Sequence, residues 1–258
     1  MSALPSSLVY SGDSIPRPLT RRRHFVLRED TPEIERGTFI PKIISKPEKP
    51  GFGFKFAIFA GIHGDEEAGT LAAFELVRWA SEQPVELFDY ELHIYPVCNP
   101  TGRRSNTRHS IKGLDLNRQF WSESDEPEVQ YLENELRREK YDGIISLHSD
   151  SDSEGIYGFA GGSFLSEHLL QPALQEASAI LPRNDSQVID GFLADHGIIR
   201  EGYLGMLTSP PEQFPKPLEI VFETPALAPM PHQVAATVGA VKTILERYRS
   251  LQSYALNL

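Results

Sequence analysis

The 258-residue sequence predicts an α/β fold, a mixed, mostly parallel sheet flanked by helices on both faces. Three observations predict it. Short apolar runs alternate with segments of helical period along most of the chain. The first run of the core, FKFAIFA (54–60), is continuously apolar, as a strand covered on both faces is. The chain then closes on an amphipathic segment long enough to cover one face of a sheet.

Each element follows in order. Residues 1–50 are rich in proline and charge and carry two strand-like pieces, HFVL (24–27) and FIPKII (39–44). They are expected to form edge strands or a covering N-terminal arm. The strand at 54–60 is followed by good helix formers from Asp65 to Ala80. YELHIYPVC (90–98) is a second strand, and a long polar loop covers 99–116. Glu126–Glu139 is a helix with Pro127 near its start and Val129, Leu132 and Leu136 on one face. A third strand, a helix and a fourth strand follow at 142–147, 164–181 and 218–222. The closing helix runs from Pro231 to Tyr254, with Val234, Val238, Val241, Leu245 and Tyr248 along one side. The length fits one catalytic domain over 1–258, with 1–50 as its arm.

Composition narrows the function classes. The formal net charge of −11 repels a polyanion, and the basic cluster Arg21–Arg23 is too short to reverse that, so no nucleic-acid partner is expected. The single cysteine, Cys98, sits in an apolar run and reads as a buried small hydrophobe. No apolar run is long enough to span a bilayer and no signal-peptide pattern opens the chain, so a cytoplasmic protein without a membrane partner is expected. The sequence leaves oligomeric state open.

In open α/β sheets, ligands bind beyond the carboxyl ends of the strands. Here four predicted strands end in chemistry-bearing residues. The first runs into GIHGDEE, the second into Asn99 and an arginine-rich loop, the third into LHSDSD and the fourth into ETP. His63 and Glu66, three residues apart at the entry to a helix, can converge on one ion. Gly61 and Gly64 let the backbone fold closely around them. Alone, an HxxE pair is usually two exposed polar side chains. A third ligand at the tip of another strand changes that, and His148 is the best placed, with His196 as the alternative. Two histidines and a glutamate, with a fourth position open to water, make a catalytic zinc arrangement.

These pieces resemble the zinc carboxypeptidase clan, which includes pancreatic-type carboxypeptidases, murein-peptide amidases and the succinylglutamate desuccinylase/aspartoacylase branch. The matching segments are GIHGDEEAG (61–69), NPTGRRSNTRHSIKGLDLNRQFW (99–121), SLHSD (146–150) and FETP (222–225), in the family's order. The resemblance implies one Zn2+ on His63, Glu66 and His148, acting as a Lewis acid that brings the pKa of a water to about 7. It implies Glu223 as general base and Arg108 as the oxyanion's partner. Asn117 and Arg118 would grip a substrate carboxylate, for which a guanidinium fork is suited. Tyr203 precedes Glu223 by a separation similar to that of the family's mobile tyrosine, which would make it a substrate-binding residue. The implied reaction is hydrolysis of an amide next to a free carboxylate. Only 35 residues follow Glu223, and they look helical, which favours a metallocarboxypeptidase or peptide amidase acting on a small peptide. The alternative is a desuccinylase/aspartoacylase-type deacylase of N-acyl amino acids. A non-catalytic binding protein on this scaffold is disfavoured because ligands, base and arginine are all present. The acidic stretch LHSDSDSE (147–154), if it faces the cleft, would favour a substrate bearing an amine.

Overall fold

The computed structural model describes residues 23–28, 33–34, 38–47, 53–84 and 86–255. The sheet is built on FKFAIFA, β3 (Phe54–Ala60), whose side chains feed two cores. Phe56 and Ile58 face one side, Ala57 and Phe59 the other. β3 pairs in parallel with β4 (Tyr90–Tyr95) and with β5 (Gly143–Asp150), and β5 pairs in parallel with β10 (Leu218–Pro225).

Around this parallel centre the sheet is less parallel than its sequence predicts. β2 (Lys42–Pro47) adds antiparallel to β4, and β1 (Arg23–Arg28) adds antiparallel to β2. On the far side β6 (Tyr157–Gly162) adds antiparallel to β10. A small hairpin of β7 (Val188–Ile189), β8 (Phe192–Asp195) and β9 (Ile198–Ile199) extends it, with β9 parallel to β6. Only the strands joined through helices need to run parallel, because a crossover must return the chain to the same end. β2 leads into β3, and β5 into β6, through six residues each, and these short connections reverse direction. The expected edge strands near 24–27 and 39–44 are therefore present as β1 and β2. Apart from residues 33–34 and 38–41, the rest of the 1–50 arm lies outside the described residues.

Helices cover both faces, as expected. α1 (Glu67–Glu82), α4 (Leu165–Ala177) and α5 (Met230–Ala255) pack together on one face. Small residues of α1, among them Ala72, Ala73 and Ala80, let it lie close to the strands. Val241, Leu245 and Tyr248 of α5 are buried, and Val234 and Val238 pack against the same core. On the other face α3 (Pro127–Glu139) buries Val129, Leu132 and Leu136 against Phe59, Tyr95 and Ile144. A third, smaller core of Tyr157, Phe159, Ile199, Met206 and Val221 lies under the hairpin. The polar stretch after Asn99 is not all loop. Asn99 caps a short helix α2 (Pro100–Ser105), accepting from the Gly102 N–H at 2.8 Å, with Pro100 at the first helical position.

Candidate active site

His63 lies in the turn between β3 and α1, and Glu66 is the N-cap residue immediately before α1. Glu66 makes no capping bond to the helix, so its carboxylate turns inward. It accepts from His63 Nδ1 at 2.5 Å, from His148 Nδ1 at 2.8 Å and from the Ser149 N–H at 3.1 Å. All three side chains are buried, and their ligand atoms lie within 4.8 Å of one another. The turn closes this tightly because Gly64 packs directly on the backbone of Gly102, where a Cβ would overlap it.

Strand register sets the next residues. His148 on β5 lies opposite Glu223 on β10, which lies opposite Tyr157 on β6. This row forms one wall of a cleft of about 340 Å³. The polar loop forms the other. Asp115 caps a 3₁₀ turn (Leu116–Arg118) and accepts from the Asn117 N–H at 2.9 Å. The same carboxylate lies 3.1 Å from His63 Nε2 and takes Arg108 Nε at 3.1 Å. Arg108 also stands 3.5 Å from Glu66. Asn117 is buried, and its Oδ1 accepts from the Leu207 N–H at 2.9 Å, which leaves its amide NH₂ as the group able to donate into the cleft. The Arg118 guanidinium stacks on the Tyr203 ring at 3.7 Å. Tyr203 in turn donates to the backbone and carboxylate of Asp190 at 2.8 and 2.9 Å. Gly205, at φ +78°, lets this loop lie against the backbone of Arg118.

The sequence-predicted residues His63, Glu66, Arg108, Asn117, Arg118, His148, Tyr203 and Glu223 thus all line one cleft. The alternative ligand His196 does not. It is exposed on the hairpin, 3.5 Å from Asp185. Of the acidic stretch, Asp150 and Asp152 line the cleft, whereas Glu154 lines a separate surface hollow. Sequence reasoning missed Asp115, Tyr157 and Asp190. Asp115 stands two residues before Asn117 in DLNR and could have been found as a cap. Asp190 gives no such signal, because its approach to the cleft depends on the hairpin.

The charges fit a cation. Burial alone would lower the His63 pKa, but the neighbouring carboxylates of Glu66 and Asp115 outweigh it and raise the group. Burial would likewise raise Glu66, yet His148 and His63 hold its carboxyl well below the usual range. Asp115 is held low against its own burial by His63 and Arg108. Two imidazoles drawn onto one buried carboxylate, with a second carboxylate behind one ring, make a donor set that suits a divalent metal. Glu223 differs. Burial pushes its carboxyl up to about 8, partly opposed by His148 and reinforced by Glu66 and Asp150.

This arrangement is a candidate metal centre on a zinc carboxypeptidase-like fold. A profile of the succinylglutamate desuccinylase/aspartoacylase catalytic domain matches residues 53–184, just over half of the chain, and the protein belongs to that hydrolase family. Solved structures agree on the fold. A protein of Shewanella baltica OS155 classed as a metallopeptidase superposes with a TM-score of 0.72 at 22% identity, over 86% of this chain and 85% of that one. A metallo-carboxypeptidase of Pseudomonas aeruginosa, solved with (2-guanidinoethylmercapto)succinic acid, gives 0.62 at 20% identity, over 85% and 62%. The product-bound ectoine utilization protein EutE (DoeB) of Ruegeria pomeroyi gives 0.57 at 18% identity, over 89% and 68%. No curated protein matches the chain by sequence. No helix among the described residues is long and apolar enough to cross a membrane.

Proposed function

We propose that the protein is a zinc-dependent hydrolase that cleaves an amide bond next to a free carboxylate, in a small peptide or an N-acyl amino acid. The observation that carries this is the convergence of His63, Glu66, His148, Glu223 and the Asn117–Arg118 pair on one cleft. His63, Glu66 and His148 would hold the zinc. Bound there, it supplies Lewis acidity to the scissile carbonyl and acidity to water.

The chain's own residues do the rest. Glu223 takes the proton from the attacking water and returns it to the leaving amine. A carboxyl raised towards neutrality is suited to both transfers. Arg108, oriented by Asp115, offers its guanidinium to the charge that grows on the carbonyl oxygen. Arg118 and the Asn117 amide bind the substrate carboxylate, and Tyr203, stacked on Arg118, flanks that position. Asp150 and Asp152 make the opposite side acidic, which suits a substrate that also carries an amine.

A helix, α5, follows β10 directly, and this supports a metallocarboxypeptidase or peptide amidase. The matching family profile favours a second reading, deacylation of N-acyl amino acids. One panel separates them: the zinc-loaded protein against N-acetylaspartate, N-succinylglutamate, C-terminal peptides and murein tripeptide, with bound metal measured. Turnover of the peptides alone supports the first reading, and turnover of the N-acyl amino acids alone supports the second. No turnover of any substrate, with wild type and Glu223→Ala alike, would leave a binding protein.

A further inference from the structure

The turn from Arg108 to Asp115 carries both the guanidinium offered to the carbonyl oxygen and the carboxylate that orients it. Its root is held by α2 and the residue that caps it. The Thr107 N–H donates to the Gly102 carbonyl at 3.0 Å, and Gly102 lies so close to the His109 carbonyl that a Cβ would stand 2.7 Å from it. Asn99 Nδ2 adds a long bond, 3.4 Å, to the Arg108 carbonyl. Beyond His109, apolar packing does little to fix the turn. Ile111 is 63% and Leu114 38% exposed, and a Cβ added at Gly113 would meet nothing within 4 Å. The bonds of Ser110 stay inside the turn, with Lys112, Gly113 and Leu114.

Among the described residues, Lys112 makes the polar contacts that tie 110–114 to another element. Its ammonium donates to the Asp125 carbonyl at 2.8 Å and lies 3.4 Å from both Asp125 Oδ1 and Glu126 Oε1. Asp125 is exposed, so its pairing contributes little. Glu126 is different. It is 0% exposed, and neither of its carboxylate oxygens has a hydrogen-bond partner. It stands immediately before α3, yet its side chain makes no capping bond. Glu128, two residues on and also 0% exposed, leaves its Oε2 without a partner as well. Buried carboxylates short of donors are costly and uncommon. Capping does not account for Glu126. Lys112 is its ion-pair partner among the described residues, and no hydrogen bond competes for the charge.

We propose that Lys112 and Glu126 are positioning residues: the buried carboxylate anchors the tip of the turn through Lys112, and the anchored turn holds Arg108 and Asp115 at the cleft. Released at its tip, the turn would pivot on its root at Thr107–His109, next to Arg108, and misplace the guanidinium. Only the role of Arg108 at the carbonyl oxygen rests on the proposed function; the hold on the turn does not.

The test uses Glu126→Gln alone and combined with Lys112→Met, a pair that leaves no buried charge stranded. Urea unfolding midpoints should stay close to wild type. Amide hydrogen exchange over 107–114 should be faster in the double variant than in wild type. With the zinc-loaded protein and a compound of the N-acyl amino acid and peptide panel that wild type turns over, kcat should fall about 10–100-fold, within what a misplaced group costs. KM should change little, because Arg108 answers a charge that grows only in the transition state. Lys112→Arg, which can reach the same carbonyl and carboxylate, should match wild type in exchange and in kcat. Lys55→Met, which frees Glu139 of a 3.1 Å pair at the other end of α3, should alter neither. Unchanged exchange in the double variant, or faster exchange with unchanged kcat, would overturn the positioning role. So would a lower midpoint with kcat per folded molecule unchanged, which would leave Glu126 serving only the dipole of α3. Faster exchange in a protein whose wild type turns nothing over would uphold the hold on the turn and sink the hydrolytic reading instead.

Discussion

The Lys42 cluster and the His63 cluster lie on the same face of the sheet, and both bury charge. Lys42, 1% exposed, gives its ammonium to Glu135 at 2.6 Å and Glu139 at 3.1 Å. Tyr95 donates to Glu135 at 2.8 Å and meets Tyr141 at 3.0 Å. His93 bridges Tyr141 and Glu91 at 2.9 and 2.8 Å. In that cluster each charge answers another, and α3 covers it. The His63 cluster instead opens on a cleft, and Glu223 and Arg118 face that cleft without an ion-pair partner among the described residues. Buried charge alone therefore does not mark a site. Groups left available to something outside the chain do. The first cluster should govern stability and the second chemistry, and that division can be broken experimentally.

The largest effect is expected at Glu223. Glu223→Ala should lower kcat by about 10²–10⁴-fold, the range for a lost acid–base group. Because it removes a desolvated carboxyl, it should not lower the unfolding midpoint. A fall in activity matched by a fall in stability would place Glu223 with the structural cluster instead. Lys42→Ala should do the opposite. Stranding Glu135 without its buried partner should destabilise the fold by roughly 3–5 kcal/mol. Urea unfolding would measure that loss, and kcat per folded molecule should not change. Replacing both partners with apolar residues of similar volume should recover most of the stability.

The pH dependence separates the clusters further. Burial, helped by the Lys42 charge, lowers His93 to about 4. In the unfolded chain a histidine titrates near 6.5. Between these values the unfolded chain binds a proton that the fold refuses, so stability rises with pH and is lost as pH falls from about 6.5 to about 4. The loss is on the order of 3 kcal/mol at most. Glu139, depressed to about 2 by Lys55, His93 and Lys42 against its own burial, acts in the same sense, with stability lost as pH falls below about 4.5. Denaturant midpoints at pH 7.5 and 5 should differ less in His93→Gln than in wild type. An equal difference in the two proteins would remove His93 from the account.

Much of the candidate site was legible because its positions follow from strand direction. His63, His148 and Glu223 each stand at or just past the end of an apolar run, and a parallel centre brings those ends to one edge. The helix faces were legible for the same local reason, as with Leu132 and Leu136 on α3. What escaped depends on pairing partners remote in sequence. YGFAGG shows no alternation, so β6 was invisible until its partner β10 was placed. The antiparallel flanks were hidden likewise, since nothing within β2 states that β4 lies beside it. Tyr203 was found by resemblance, but its contact with Arg118 depends on Asp190, which the hairpin delivers.

Asp115 tests whether the two clusters are as separate as they look, because it belongs to the chemical one yet behaves partly like a structural residue. It caps the turn that holds Asn117 and Arg118, orients Arg108, and accepts from His63 Nε2. Asp115→Asn keeps an oxygen for the cap but loses the charge. Loss of a carboxylate behind a ligating imidazole typically weakens metal affinity about 10–100-fold. The expected result is that drop in zinc affinity by competition with a chelator, with an unfolding midpoint nearly unchanged. If instead zinc affinity holds while the midpoint falls, Asp115 serves the turn alone and the charge on His63 is set by Glu66.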